Sequence, residues 1–172
     1  FVVVMIGLFA IGEVVDLVAT DRDLRPRKAD GKVAGASFRD IWNVKGAIAR
    51  GTALGCMIGV IPGAGATPGA VIAYGVEKQV NPRGKEFGTG IEAGLAAPEA
   101  AKNATTGAAM VPLLTLGIPG SAATAIMLAA MMLQGVNPGP LLFIMDPSMV
   151  YTIFAAMIIA NVLMIGAGVG VA

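Results

Sequence analysis

Two short stretches of the sequence carry the same helix-breaking pattern. Residues 61–67 read IPGAGAT and residues 118–124 read IPGSAAT, with five identities in seven positions. Proline lacks a backbone N–H and glycine adopts backbone angles that other residues avoid, so the pair unwinds one helix and lets another begin. The new helix start presents free N–H groups and a positive dipole end that attract an anion, while unpaired carbonyls can hold a small cation.

The repeated pattern therefore predicts a substrate or ion site made of backbone groups and hydroxyls at two helix breaks. The candidate residues are Pro62, Gly63, Ala64, Gly65 and Thr67 in the first break, and Pro119, Gly120, Ser121 and Thr124 in the second. No Lys or Arg follows Lys102, so an anion bound in this half would rely on helix starts and hydroxyls. The alternative, that both breaks only kink helices for packing, stays open.

A second group of polar residues lies between the repeats. Glu92, Glu99 and Asn103 are spaced by seven and four residues, which places them on one helical face. An ionisable group inside a membrane costs about 2.5–3.5 kcal/mol and is usually functional. We therefore predict that Asn103 faces the same site and that Glu99 is a possible coupling residue. The alternative is an interfacial position, with Glu99 paired to Lys102.

The elements that carry these residues are predicted to lie in a membrane. The chain is 56% hydrophobic and only 13% charged, with a mean hydropathy of +0.78, whereas soluble domains carry about 25% charged residues. Residues 51–76, 103–145 and 147–172 contain no charge at all. Because about 20 apolar residues cross a bilayer, the sequence predicts an all-α polytopic membrane protein.

Several absences exclude other classes of protein. There is no His, and the single Cys, Cys56, lies in an apolar run, so a disulfide, a CxxC site and imidazole chemistry are all excluded. The sequence offers no metal-ligand cluster and no nucleophile–base pair, and it predicts neither an enzyme nor a metal or organic cofactor. The net charge of +1 gives no argument for nucleic-acid binding.

The basic residues predict how the segments are arranged. Residues 20–50 hold eight of the twelve basic residues and are predicted to form a cytoplasmic loop with an interfacial helix in SFRDIWNVKGAIARG. Residues 77–102 contain basic residues as well, four against four acidic ones, so residues 51–76 are predicted to be a re-entrant hairpin with limbs too short to span. Residues 136–146 lack basic residues and are predicted to lie on the outer face. Residues 103–135 then form a broken transmembrane helix.

Three ordered motifs resemble one known family. They are GVIPGAGATPGAVIAYGVEK, FGTGIEAGLAAPEAAKNATTGAAMVPLLTLGIPGSAATAIML and LQGVNPGPLLF, and they resemble the large membrane subunit of the tripartite tricarboxylate transporters, the TctA type. The resemblance covers nearly the whole chain and matches the second half of such a subunit. Both ends of the chain lie in apolar runs, which also predicts that residues 1–172 are one transmembrane domain and a fragment of a longer chain.

The resemblance implies more than the residues do. It implies one half of an inverted-repeat, elevator-like secondary transporter in the bacterial inner membrane. It also implies a small membrane subunit and a periplasmic solute-binding protein as partners, besides membrane lipids. The implied activity is import of carboxylates such as citrate, coupled to a cation that is Na+ or H+. The alternative is a structural or channel-forming membrane subunit whose Pro-Gly breaks serve packing only.

Overall fold

The computed structural model describes Ile11, Val15 and residues 38–171 of the chain. The predictions made for residues 1–37, including the first part of the cytoplasmic loop, lie outside these residues. Within residues 38–171 the regular structure is helical, as the sequence predicts. The α-helices are α1 (Phe38–Asn43), α2 (Lys45–Gly59), α3 (Ala66–Val80), α4 (Ala93–Ala108), α5 (Met110–Leu116), α6 (Ala122–Leu133), α7 (Leu142–Met145) and α8 (Pro147–Val171), and a 3₁₀ turn spans Gly84–Glu86.

The predicted interfacial helix corresponds to α1 and the beginning of α2. The helix is interrupted at Val44, which precedes the first residue of α2. Ile41 and Trp42 of α1 are exposed, and the Lys45 ammonium lies 4.3 Å from the centre of the Trp42 ring. Exposed aromatic and basic side chains side by side, as here where α1 meets α2, are typical of a membrane interface.

The first break lies in the turn of a helical hairpin. α2 and α3 run antiparallel, because Arg50 near the start of α2 pairs with Glu77 near the end of α3. Each helix has 15 residues and is therefore about 22 Å long, shorter than the roughly 30 Å apolar core of a bilayer. The limbs extend a few residues beyond the predicted range of 51–76. Their re-entrant placement in a membrane stays a prediction.

Small residues spaced by four hold α2 against α4. The helices are parallel and in register, with Gly51 facing Ala97, Gly55 facing Ala101 and Gly59 facing Thr105. A Cβ atom on any of the three glycines would collide with a backbone carbonyl of α4. Backbones this close are typical of helix packing in membranes. The glycines of the sequence therefore build the three-helix unit of α2, α3 and α4.

The second broken segment begins earlier than residue 103. α4 starts at Ala93, and its regular helix is interrupted at Ala109. The cause is Pro112, which has no N–H to offer the carbonyl of Ala108. α5 then ends at Leu116, and the following residue, Gly117, has a left-handed φ of 69° that favours glycine.

The loop after α6 returns to the second break. The N–H of Gly139 donates to the carbonyl of Leu114 in α5, at 3.0 Å. A Cβ on Gly117 would lie 3.0 Å from the carbonyl oxygen of Pro138. Around this contact, buried apolar side chains from α5 to α8 form a separate core made of Met110, Leu113, Leu114, Met131, Leu142, Val150 and Ile153. The outer-face position of residues 136–146 stays a prediction.

One described helix is long and apolar enough to cross a membrane by itself. It covers Pro147–Gly168 within α8, with a mean hydropathy of 2.1 and only 11% of its window buried. The helix Ala122–Leu133 is apolar but shorter, about 18 Å long. The remaining apolar elements are the hairpin limbs and the halves of a broken helix.

Candidate functional site

The two Pro-Gly breaks meet in the folded chain. The N–H of Gly65 donates a hydrogen bond to the carbonyl of Gly120, with 3.3 Å between nitrogen and oxygen. α3 begins at Ala66 and α6 begins at Ala122, so two helix starts lie within two residues of this one bond. The positive ends of two helix dipoles therefore lie side by side.

The first break leaves its helix start open. Gly63 and Gly65 have φ values of 78° and 71°, which favour glycine. Gly65 occupies the N-cap position of α3 and has no side chain to cap it. Among the described residues, no acceptor meets the N–H of Ala66 or Thr67. Of the other predicted residues here, Pro62 and Thr67 are exposed and Ala64 is half-buried.

The second break caps its own helix start. The Thr124 N–H donates to the Ser121 hydroxyl at 3.3 Å, and the Ser121 N–H donates to Thr124 Oγ1 at 2.8 Å, a reciprocal capping box. The Thr124 hydroxyl also donates to the Ser121 carbonyl, at 2.9 Å. Both predicted hydroxyls are therefore already engaged within α6, and Thr124 is buried. Pro119 is half-buried, and Gly120 is buried against Ala109.

Asn103 and Glu99 are not brought to the breaks. Both are exposed on α4, where the Asn103 amide donates to the Glu99 carbonyl and Lys102 lies 3.3 Å from the Glu99 carboxylate. Glu99 precedes Ala109 by ten residues, which is about 15 Å along a helix. Glu99 instead lines an open cavity of about 700 Å³ beside α1, together with Asp40, Tyr74 and Glu92 among others. The coupling role of Glu99 stays a prediction.

An ion pair between α2 and α3, at the end of the hairpin away from its turn, was not predicted from the sequence. Arg50 donates from Nε and Nη2 to the two carboxylate oxygens of Glu77, each at 2.7 Å. The amide of Asn81 donates to the same carboxylate, also at 2.7 Å. Hydrogen bonds from Arg50 hold the pKa of the Glu77 carboxyl below its ordinary value, even though burial opposes this.

The sequence does contain a signal for this ion pair. Arg50 and Glu77 are the first charged residues on either side of the uncharged run 51–76. Asn81 follows Glu77 by four residues, the spacing of neighbours on one helical face. A hairpin whose two ends carry opposite charges brings those charges together. The ion pair therefore fixes the two ends of the run at the same end of the hairpin.

Paired helix breaks in a bundle of small residues are the architecture that secondary transporters use for substrate and ion sites. The regular structure of the fold itself is helical throughout residues 38–171, and one described helix is long and apolar enough to cross a membrane. The whole chain, residues 1–172, matches the Tripartite tricarboxylate transporter TctA family, and the protein belongs to that family. The family resemblance predicted from the three motifs is confirmed.

Two relatives from Agrobacterium vitis match the chain. The uncharacterized 52.8 kDa protein in the TAR-I ttuC' 3' region is 34% identical over 165 residues, which is 96% of this chain and 33% of the relative. The uncharacterized protein in the TAR-II ttuC' 3' region is 40% identical over 111 residues, covering 64% of this chain and 46% of the relative. The chain thus spans a third to a half of these relatives. No solved structure matches it.

Proposed function

We propose that this chain is part of the membrane permease subunit of a binding-protein-dependent secondary transporter that imports tricarboxylates or related carboxylates by cation coupling. The observation that carries the proposal is the hydrogen bond between Gly65 and Gly120, because it brings both helix breaks to one place. Family membership supports the transport activity. The proposed substrate site is the space that the two breaks enclose.

The two breaks have different parts in this proposal. The first break offers the open N–H groups of Ala66 and Thr67, which can donate directly to a substrate carboxylate. The second break is capped by Ser121 and Thr124, so it contributes the dipole of α6 and a fixed wall. Since residues 51–76 and 103–145 carry no charge, the anion is held by N–H groups and helix dipoles without a charged side chain and can be released again.

The same place offers groups for a coupling cation. α2 ends at Gly59 and α5 ends at Leu116, so the negative ends of two helix dipoles lie near the positive ends of α3 and α6. Backbone carbonyls at such ends coordinate Na+ in transporters of this type. In the proposal the cation, Na+ or H+, neutralises part of the substrate charge. Because Glu99 lies on α4 away from the breaks, it would contribute to coupling only indirectly, through the α4 helix that carries it.

The proposal includes the setting of the whole protein. We place it in the bacterial inner membrane as a multi-pass protein, with the α2–α3 hairpin re-entering from the cytoplasmic side and an elevator-like inverted repeat completed by the other half of the subunit. Its partners are a small membrane subunit and a periplasmic solute-binding protein. Family membership supports these partners, since the family is tripartite.

Uptake of radiolabelled citrate by the complete transporter in proteoliposomes tests the proposal. Gly65→Ala changes the first break, and Gly88→Ala is its matched control, because both glycines have positive φ and open space around a Cβ. The uptake rate is expected to fall at least tenfold in Gly65→Ala and to stay near wild type in Gly88→Ala. The two variants would then differ by about 1.4 kcal/mol or more in the activation free energy of transport. Equal uptake in the two variants would refute the site.

A second candidate is a structural or channel-forming subunit whose breaks serve packing only. Two observations favour it: the Ser121 and Thr124 hydroxyls are used within α6, and Gly120 packs on Ala109. Citrate uptake that survives Gly120→Leu would support this alternative. Saturable, gradient-driven uptake that Gly120→Leu abolishes, with the protein still present in the membrane, would exclude it.

A further inference from the structure

Thr105 lies where three helices meet. Its side chain is buried, and its hydroxyl donates to the carbonyl of Gly55 in α2, at 3.1 Å. A Cβ on Gly69 of α3 would lie 2.7 Å from the same hydroxyl oxygen. A Cβ on Gly59 would lie 2.6 Å from the Thr105 carbonyl. One residue of α4 thus touches both limbs of the hairpin.

The turn of α4 that begins at Thr105 supports both breaks. Gly59, which rests on Thr105, is the last residue of α2 before the first break. Ala109 donates its N–H to the Thr105 carbonyl at 2.9 Å. Gly120 of the second break rests on Ala109, where an added Cβ would lie 3.1 Å from the alanine Cβ. The separation of the two breaks therefore depends on this turn.

The small faces of α2 and α4 do not fix their own register. Both faces repeat every four residues, with Ala47, Gly51, Gly55 and Gly59 on α2 and Ala93, Ala97, Ala101 and Thr105 on α4. Sliding one helix by a single repeat, about 6 Å, would again bring small residues together. Such a slip would carry Gly65 away from Gly120. Packing alone therefore leaves more than one register open.

The hydroxyl of Thr105 distinguishes these registers. Threonine in a helix usually donates to a carbonyl of its own preceding turn, as Thr106 does to Lys102 at 3.0 Å. The Thr105 hydroxyl instead donates to α2. This bond is the one side-chain hydrogen bond between α2 and α4 in the described part of the chain. A slipped register would exchange this cross-helix bond for a bond within α4 of the kind that Thr106 makes. The described contact between α2 and α4 would then lose its hydrogen bond, which favours the observed register.

We propose that Thr105 is a positioning residue for the paired breaks: its hydrogen bond to Gly55 sets the register of α2 on α4, so that Gly65 meets Gly120. This inference rests on the proposed function for its effect on transport. Its structural part, the register, is independent of the substrate. Two readouts are therefore needed, one for the contact between the breaks and one for transport.

The experiment compares Thr105→Val, which keeps the shape and removes the hydroxyl, with Thr105→Ser, which keeps the hydroxyl. Thr106→Val is the control on the exposed face of the same helix. In the complete transporter, amide exchange at Gly65 is expected to accelerate about tenfold in Thr105→Val only. In the same Thr105→Val variant, the KM for citrate uptake is expected to rise about tenfold, while Vmax per transporter changes less than about twofold. Thr105→Ser restores both values.

Wild-type Gly65 exchange in Thr105→Val would overturn the inference. So would a loss of Vmax at constant KM that Thr105→Ser does not restore, because that result marks a merely structural role. If Thr105→Val is not recovered folded, Thr105→Ala replaces it, since alanine already occupies the equivalent positions 97 and 101. If even the wild type takes up no citrate, the proposed function fails while amide exchange at Gly65 still decides the role of Thr105.

Discussion

Arg50 and Glu77 form an ion pair between α2 and α3, at the two ends of the uncharged run 51–76. The Glu77 side chain is 1% exposed and has two oxygens bonded to Arg50, whereas the Arg50 side chain is 40% exposed. Breaking a fully buried pair costs about 3–5 kcal/mol, and exposure of one partner lowers that cost. At the scale of single residues, this pair is the strongest electrostatic contact between α2 and α3.

Glu77→Gln is expected to lower the free energy of unfolding by about 2 kcal/mol at neutral pH. The pKa of Glu77 is held below its ordinary value of 4.5, so the stabilisation is complete above that value and is lost as the pH falls through the lower folded pKa. The difference between wild type and variant should therefore shrink as the pH falls below that ordinary value. Denaturant unfolding in detergent at several pH values measures it.

The control for Glu77→Gln is Glu86→Gln. Glu86 also pairs with an arginine, Arg83, at 2.7 Å, but both side chains are at least half exposed. No measurable change in stability is expected for Glu86→Gln at any of these pH values. A stability difference for Glu77→Gln that is independent of pH would contradict the electrostatic account.

Ser121→Ala separates capping from ligand binding at the second break. Loss of the cap is expected to destabilise α6 by about 1 kcal/mol. Uptake per folded transporter should stay near wild type, because the Ser121 hydroxyl is engaged within the helix. Asp146→Ala is the matched control, since Asp146 accepts from the Met149 N–H at the start of α8. A loss of citrate affinity in Ser121→Ala alone would assign the hydroxyl to the substrate.

The breaks and the hairpin were predictable at the scale of elements. Proline and glycine mark the breaks, and basic loops around an uncharged run mark the hairpin. The repeat predicted one site at two breaks, but the particular hydrogen bond between Gly65 and Gly120 was not predictable, because it depends on packing that no local pattern encodes. The capping role of Thr124 was missed for another reason. Capping boxes are recognised by Glu or Gln at that position, and threonine is not such a signal.

Gly55→Ala tests the packing of α2 on α4. The added Cβ would collide with the carbonyl of Ala101, and overpacking of this kind costs about 1–3 kcal/mol. Gly75→Ala in α3 meets nothing within 4 Å and should stabilise by up to about 1 kcal/mol through helix propensity. Unfolding of both variants in detergent measures the difference. Equal stability of the two variants would contradict the close α2–α4 contact.

At the scale of the molecule, the described part of the chain combines the three-helix unit of α2, α3 and α4 with a second core formed by α5 to α8. The family was predictable at this scale because three motifs occur in order, and the match over residues 1–172 agrees. The exposed positions of Asn103 and Glu99 were not predictable, since spacing tells which residues share a helical face but not what that face meets. Within the described residues both side chains are exposed, with Glu99 lining the cavity beside α1, and the chain spans only a third of its longer relative.

The proposed cation coupling belongs to the scale of the whole transporter. If backbone carbonyls at the ends of α2 and α5 hold Na+, an inward Na+ gradient should raise the initial rate of citrate uptake into proteoliposomes at least tenfold over a K+ control. If a proton is coupled instead, an inward pH gradient should have that effect and Glu99→Gln should abolish it. Uptake that responds to neither gradient would contradict secondary transport.

The central claim is that the two Pro-Gly breaks form one carboxylate site. Its most direct test is an experimental structure of the complete transporter with citrate bound. The account predicts a substrate carboxylate within about 3 Å of the N–H groups of Ala66 and Thr67, with Gly65 still bonded to Gly120. Citrate bound elsewhere, or breaks that are separated and face lipid, would contradict it.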